Sequence, residues 1–273
     1  MNNLMKRLHA APGHVAMYYH PLDGGCRQMM NENMPLMAAS VIKIPIMVEA
    51  FRQFETGKLS PEEIHVLREE EKMPSCGSLN RMHAGLEVTM RDLVELMIVL
   101  SDNTATNILI ERLGIQHVNE TMRALGLKAT VLRRKLFDKA ASAAGLQNTV
   151  GARDIGILLE RMYEGTLVSE NASREMLEIL KNQKLNGKMP FYIKPRGIAC
   201  AHKTGEDDGI THDVGIVFTR KPFVLCMLSN ETDVPTFERL IQNVTRELAD
   251  MNSGGGETLG GRCPPSPLLR ALP

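Results

Sequence analysis

The sequence contains no tryptophan, and aromatic residues occupy only 4% of its 273 positions. Neither sign of charge dominates, because 32 Lys and Arg residues are balanced by 32 Asp and Glu residues. Without a strong basic block, nucleic acid is not expected as a partner. No apolar run reaches the length of a transmembrane helix, so we expect no membrane association either.

Signals for export and for metal binding are also lacking. Residues 1–15 include Lys6 and Arg7 but no apolar segment of the kind found in signal peptides. As the sequence stands we expect a cytoplasmic protein, whereas removal of a leader would indicate a periplasmic or secreted one. The five cysteines and eight histidines show no metal-ligand spacing. We therefore expect no metal and no cofactor.

Three short motifs follow one another along the chain: Ser40-Val41-Ile42-Lys43, Ser101-Asp102-Asn103 and Lys203-Thr204-Gly205. Ser101 follows Ser40 by 61 positions, and Lys203 follows Ser101 by 102. A serine and a lysine three residues apart arise often by chance. All three motifs in this order are a far more specific signal.

The first motif opens an apolar stretch with helical spacing, which predicts that Ser40 lies at or just inside a helix N-terminus. Lys43 is then on the same face and within reach of the Ser40 hydroxyl. A serine hydroxyl needs a base to take its proton as it attacks, and Lys43 is the candidate base. The alternative is a capping Ser40 beside a solvated lysine.

The second motif lies between two helical segments. Ser101 is a candidate for relaying a proton to a leaving group, and Asn103 for hydrogen bonding a substrate amide. Asp102 is expected to brace the loop. The alternative is an ordinary helix cap without chemistry.

The third motif follows a predicted strand. Lys203, with Thr204, is expected to bind a substrate carboxylate, and Gly205 to let a ligand approach the strand edge. The backbone N–H groups of Glu206 and Ser40 are candidates for an oxyanion hole. The alternative is an edge-strand lysine before a turn.

These motifs together resemble those of the class A serine β-lactamases and related penicillin-recognising serine hydrolases. The helix at 90–98 and the segment 101–107 resemble the corresponding helix and loop of that family, and the resemblance covers residues 4–250. It implies that Ser40 attacks a β-lactam or related acyl compound and that water later releases the product.

One element of the family pattern is missing. The resemblance implies a glutamate in a loop after the second motif, where it activates the deacylating water, yet residues 132–140 contain no glutamate. Asp138 is the only carboxylate there and is one methylene shorter, so we expect slow deacylation that depends on it only in part. The alternative is that Asp138 pairs with Arg133 or Arg134.

The predicted fold is α/β of the α+β kind: an antiparallel sheet flanked by helices, with an inserted all-helical domain. Residues 1–33 and 190–250 are expected to form the α/β domain, and residues 34–189 the helical domain. A short helix is predicted at 61–70, and residues 251–273 are expected to form a flexible tail.

The sequence leaves three activities open: a β-lactam hydrolase, a DD-peptidase or esterase with the same acylation chemistry, and a β-lactam-binding sensor that acylates without turnover. A small-molecule substrate and a monomeric protein are expected in each case.

Overall fold

The computed structural model describes residues 2–254. Its strands are β1 (His14–Pro21), β2 (Gln28–Met30), β3 (Leu36–Met37), β4 (Ile64–Val66), β5 (Glu87–Thr89), β6 (Thr149–Val150), β7 (Ala199–Asp207), β8 (Ile210–Phe218) and β9 (Phe223–Asn230). Its helices are α1 (Asn2–His9), α2 (Lys43–Glu55), α3 (Met90–Val99), α4 (Asn103–Leu113), α5 (Ile115–Ala124), α6 (Lys139–Ala143), α7 (Ala152–Tyr163), α8 (Glu170–Lys181) and α9 (Val234–Ser253).

A five-stranded antiparallel sheet joins the two ends of the chain. Its order is β2-β1-β9-β8-β7, so strands near the N-terminus pair with strands near the C-terminus. The short connection between β7 and β8 passes through Gly209, whose φ of 65° suits a tight turn. The predicted antiparallel sheet flanked by helices is confirmed.

The two faces of the sheet bury separate apolar clusters. One face, with Val214, Ile216 and Leu228, packs against the helices between β3 and α8. The opposite face, with Phe223 and Leu225, packs against α1 and α9. Since successive strand residues point to opposite faces, strands covered on both sides carry consecutive apolar residues, as β9 does from Phe223 to Leu228. The proposed division at residues 34 and 189 stays a prediction.

Two sequence predictions differ from the structure. The segment 61–70 is not a helix, because β4 pairs with β5 and a 3-10 turn follows at Glu69–Glu71. β-branched Ile64 and Val66 favour that pairing. Helix α9 extends to Ser253, so the first three residues of the expected tail are helical, and 255–273 lie outside the described residues. Within residues 2–254 no helix is long and apolar enough to cross a membrane.

A buried polar cluster joins the sheet to helix α7. Glu160 accepts hydrogen bonds from Tyr18 at 2.5 Å and Arg27 at 2.9 Å, and His20 Nδ1 lies 2.6 Å from it. Burial alone would raise the pKa of Glu160, but these partners, His20 first, lower it to about 2. The carboxylate is therefore stabilised in the folded protein.

Glu160 predicts an acid-sensitive fold. Its contribution is complete above its ordinary pKa of 4.5 and is lost as pH falls towards about 2. That difference corresponds to about 3 kcal/mol of unfolding free energy. Glu160→Gln should destabilise the protein at pH 7 and flatten the loss of stability below pH 5, as measured by urea unfolding. Glu178→Gln, at an exposed ion pair on α8, is the control. If the unfolding free energy of Glu160→Gln falls below pH 5 as steeply as that of the wild type, this prediction is contradicted.

Candidate active site

The serine of the first motif lies in a 3-10 turn at Ala39–Ile42 that leads directly into α2. Ser40 is half-buried, while Val41 and Ile42 are fully buried and fix the turn in the core. Ala39 has a φ of 41°, which is uncommon for a residue with a side chain. Strain of this kind persists where the surroundings enforce it, often at functional sites.

Lys43 begins α2 and is completely buried. Its Nζ lies within hydrogen-bond distance of the Ser101 carbonyl oxygen (2.8 Å), the Ser101 Oγ (3.0 Å) and the Asn103 Oδ1 (2.9 Å). Among the described residues no hydrogen bond joins Nζ to Ser40 Oγ, although the spacing predicted that contact. The first two motifs are nevertheless joined directly through this lysine.

Burial moves the pKa of Lys43 well below its usual range, and the nearby charge of Lys203 lowers it further. The neighbouring Cys76 and Asp102 oppose this lowering of the Lys43 pKa only in part. A neutral amine has two N–H donors and one lone pair. With Ser101 O and Asn103 Oδ1 taking the two donors, the lone pair is free to accept the Ser101 hydroxyl proton.

Ser101 and Asp102 link α3 to α4, and Asn103 is the first residue of α4. Ser101 has a φ of 54° and is buried. The Asp102 carboxylate accepts from the Ala105 N–H at 2.9 Å, which caps α4, and from two N–H groups of the 78–79 turn. Asp102 therefore braces the loop. Gly77 lies so close to this carboxylate that a side chain would collide with it.

Lys203 lies on β7 and is completely buried. Its Nζ donates to Ser101 Oγ at 3.0 Å and to the carbonyl of the buried Thr204 at 2.8 Å. Burial lowers the pKa of Lys203 to about 7, with Asp213 opposing the shift and Lys188 adding to it. One serine hydroxyl thus lies between two buried amines, and all three motifs meet there.

Gly205 permits β7 to approach the turn that carries Ser40. A Cβ at this position would lie 3.0 Å from the His212 ring, 3.2 Å from the Val41 side chain and 3.3 Å from the Ala38 carbonyl. The sequence suggested that this glycine makes room for a ligand. The structure gives it a packing reason as well, because it brings strand and turn together.

His212 on the neighbouring strand holds the end of β3, just before this turn, and the sequence analysis missed it. Its Nε2 lies 2.8 Å from the Met37 carbonyl, and its Nδ1 accepts from the Ser229 N–H at 3.1 Å. Burial lowers its pKa to about 4, so the ring is neutral and Nε2 carries the proton. No motif marks this residue, since its partners are backbone groups distant in sequence.

Glu206 directly follows the third motif. Its carboxylate forms an ion pair with the buried Lys188 at 3.0 Å, which fixes the end of β7 from the side. The role of its backbone N–H in an oxyanion hole stays a prediction.

Asp138 occupies a position that the sequence did not predict. It is exposed and caps helix α6 by accepting from the Ala141 N–H at 2.9 Å. Among the described residues it forms no ion pair, and Arg133 and Arg134 instead bond to the 147–149 segment and to the Lys135 carbonyl. The pairing alternative is therefore wrong, and an exposed helix cap is poorly suited to activate a water.

Two residues before Asp138, the same loop is hydrogen bonded to α4. Asn107 Oδ1 accepts from the Leu136 N–H at 2.8 Å, and Asn107 Nδ2 donates to the Leu136 carbonyl at 3.0 Å. Asn107 lies one helical turn after Asn103, so Leu136 is the loop residue tied to the active-site helix. The next residue, Phe137, is exposed with a φ of 60°.

The sequence profile of the Beta-lactamase enzyme family matches residues 1–251. The chain belongs to this family. Among solved structures, a beta-lactamase from Sphaerobacter thermophilus is 30% identical with a TM-score of 0.85, covering 92% of this chain and 96% of that one. PBP-A is 27% identical with a TM-score of 0.82, covering 92% and 94%.

Curated members of the family are more distant in sequence. Beta-lactamase 3 of Bacillus cereus is 24% identical over 177 residues, which are 62% of this chain and 55% of that protein. Beta-lactamase CARB-3 of Pseudomonas aeruginosa is 24% identical over 64% of this chain and 60% of its own length. The matched part of the chain thus spans a little over half of these relatives.

The buried Lys203 predicts an unusual pH dependence of stability. Its folded pKa of about 7 lies below the ordinary 10.5, so the unfolded chain binds more protons between these values. Stability should therefore rise with pH across this window, by up to about 5 kcal/mol from this group. Lys203→Met removes the effect. Its stability relative to the wild type should be highest near pH 6 and decline towards pH 10.

Urea unfolding of both proteins from pH 6 to 10 measures this difference. Lys194→Met, which removes an exposed lysine, is the control and should give a difference that does not vary with pH. A pH-independent difference for Lys203→Met would mean that Lys203 keeps an ordinary affinity for its proton.

Proposed function

We propose that this protein is a serine hydrolase that opens β-lactams through an acyl-enzyme on Ser40. The observation that carries the proposal is the contact of Lys43 and Lys203 with Ser101 Oγ, both at 3.0 Å, beside the turn that presents Ser40. Membership of the Beta-lactamase enzyme family and the likeness to PBP-A support the same substrate class.

In acylation, the Ser40 hydroxyl attacks the lactam carbonyl and gives its proton to the neutral Lys43 amine. That contact would form on substrate binding, since catalytic hydrogen bonds often tighten only in the complex. The oxyanion is held by the N–H groups of Ser40 and Glu206. The C–N bond of the lactam then breaks, and the leaving nitrogen takes a proton from Ser101 Oγ, which Lys43 restores.

Substrate orientation comes from both sides of Ser101. Lys203 attracts the substrate carboxylate, assisted by Thr204, and that charge in turn favours the protonated form of the lysine. Asn103 hydrogen bonds the amide of the acyl side chain. Because Lys203 is near half-protonated at neutral pH, substrate capture should weaken in alkaline solution.

Deacylation is the slow step in this proposal. The segment 132–140 offers Asp138 as its only carboxylate, and that group is an exposed helix cap. The L158E mutant of the related PBP-A was solved as an acyl-enzyme complex with penicillin-G. Because the 132–140 segment offers no better placed carboxylate, a long-lived acyl-enzyme is expected here, with the β-lactam-binding protein as the second candidate function.

Intact-mass spectrometry after mixing with a penicillin tests the proposed function. The wild type should gain the mass of one penicillin on Ser40, and this adduct should decay slowly. Ser40→Ala should gain nothing while remaining folded, as judged by its unfolding curve. An adduct that persists in Ser40→Ala, or no adduct in the wild type, would contradict the proposal.

Lys43→Ala should slow the appearance of this adduct by at least ~100-fold, the low end of general-base contributions. Stopped-flow mixing with a chromogenic cephalosporin measures the acylation rate. Lys194→Ala is the control for loss of a positive charge. Acylation at the wild-type rate would exclude Lys43 as the base.

Leu136→Glu should accelerate deacylation, because the bonds from Asn107 fix this position against the active-site helix. Glutamates at the exposed Phe137 and Asp138 are matched controls and should change turnover much less. Steady-state hydrolysis of a cephalosporin measures all three. The largest gain at position 138 would instead identify the cap as the site of the acid, and Asp138→Asn should then trap the acyl-enzyme.

A DD-peptidase or esterase activity is not favoured by the comparisons. Cytoplasmic location and a monomeric state remain predictions, which cell fractionation and light scattering would test.

A further inference from the structure

Lys188 is a buried lysine that belongs to none of the three motifs. It lies between α8 and β7, and its side chain is only 3% exposed. Its Nζ donates to the carbonyls of Gly205 at 3.2 Å and His212 at 3.3 Å. It also forms ion pairs with Glu206 at 3.0 Å and Glu238 at 3.6 Å. A lysine ammonium has three N–H donors, so the two carbonyls and the nearer carboxylate occupy all of them.

The backbone on both sides of Lys188 is held in place. The Gly187 carbonyl accepts from Gln242 of α9 at 2.8 Å, and the Met189 N–H donates to Asp213 of β8 at 2.9 Å. The Met189 side chain is buried in the apolar cluster between the sheet and α9. Lys188 therefore reaches β7 from a support that is fixed before and after it.

The two carbonyls that Lys188 contacts establish how one peptide group of β7 is oriented. Gly205 and His212 lie directly opposite each other in the β7–β8 ladder. Carbonyls of opposite residues can share one Nζ only if both point into the space between the strands, because in the other kind of pair they point outward on opposite sides. The Gly205 carbonyl therefore points towards β8. In a planar trans peptide group the C=O and N–H point in opposite directions, so the Glu206 N–H points away from β8.

The Glu206 N–H consequently lies at the open edge of the sheet. Among the described strands none lies beyond β7 in this sheet, so no strand accepts from this N–H. The turn that carries Ser40 packs against the preceding residue, since a Cβ on Gly205 would lie 3.2 Å from Val41. A carbonyl bonded to Ser40 would therefore approach the edge at which this N–H is exposed.

We propose that Lys188 is a positioning residue for acylation, which holds the peptide group between Gly205 and Glu206 so that its N–H points at the developing oxyanion. In this role the lysine contacts the peptide group and not the substrate. It binds the carbonyl end, and the rigid amide plane fixes the direction of the N–H end. A donor of this kind stabilises the transition state because it is already in place. This inference rests on the proposed function, because the oxyanion forms only when Ser40 attacks a carbonyl.

Attraction of the substrate carboxylate is the other role open to a lysine near this site. Lys188 is poorly placed for it, because its side chain is buried and its three donors are occupied. Its charge also lowers the pKa of Lys203, the residue proposed to attract the carboxylate. Removal of Lys188 would leave Lys203 more fully protonated. A slower acylation in Lys188→Met would therefore not come from a weaker charge on Lys203.

Lys188→Met and two penicillins test the inference. One penicillin carries its free carboxylate and the other the methyl ester of that group, and the rate constant for acylation is measured for each. Lys188→Met should slow both compounds by the same factor, about 10- to 100-fold, because a misplaced oxyanion donor acts on the carbonyl that they share. Lys184→Met removes an exposed lysine four residues earlier and should react as the wild type does. Unchanged rates in Lys188→Met, or a loss confined to the free acid, would overturn the inference.

The infrared band of the acyl-enzyme carbonyl is a readout that a general loss of stability does not move. Hydrogen bonds from an oxyanion hole polarise this carbonyl and lower its stretching frequency. With a penicillin carrying ¹³C at the lactam carbonyl, Lys188→Met should give a band at higher frequency than the wild type. Lys188→Arg can still donate to the two carbonyls and should give a band between them. A wild-type band in Lys188→Met would contradict the proposed role.

A further variant keeps the inference testable if Lys188→Met does not fold, which urea unfolding detects. Glu206→Gln retains the backbone N–H and removes a carboxylate, 61% exposed, that holds Lys188. It should move the band in the same direction and slow acylation about two- to fivefold, as expected for loss of one exposed charge pair. An unchanged band and rate would then overturn the inference. If the wild type forms no adduct on Ser40, the proposed function itself is overturned.

Discussion

The candidate active site depends on the burial of two lysines around one serine hydroxyl. Lys43 and Lys203 come from different parts of the fold, yet both lie 3.0 Å from Ser101 Oγ and neither is exposed. Water cannot stabilise an ammonium group there, and two such charges repel each other. The fold therefore favours the uncharged form of Lys43, which is the form a base requires.

This arrangement requires close packing that buried polar groups maintain. Gly205 allows β7 to meet the turn of Ser40, and neutral His212 on β8 bonds to the Met37 carbonyl just before that turn. Asp102 organises the loop on the opposite side. Each of these residues acts on the position of another group, so their loss would misplace Ser40 or Ser101 without removing a reactive atom.

Much of this structure could be predicted from sequence because local patterns carry it. Apolar periodicity located α2, α3 and α4, and three short motifs indicated which residues meet. The 61–70 segment was predicted wrongly, because its pairing with β5 is a tertiary effect. The partner of Asp138 was also missed, since a one-turn cap leaves little trace in sequence. The role of His212 could not be predicted either, because its hydrogen-bond partners are backbone atoms, which leave no pattern of residue types in the sequence.

In the proposed mechanism, the loop of Leu136 sets the rate of deacylation. Helix α4 holds this loop through Asn107. One helix therefore connects this loop to Ser101. Its first residue, Asn103, contacts Lys43 directly.

The protonation state of Lys43 is the central claim, and NMR of the side-chain Nζ and Cε nuclei measures it directly. In labelled protein at pH 7, assigned through Lys43→Arg and Lys203→Arg, Lys43 should give the chemical shifts of a neutral amine. Lys203 should titrate near pH 7. If both resonances remain those of an ammonium group up to pH 9, Lys43 is not a ready base and this account of the site is wrong.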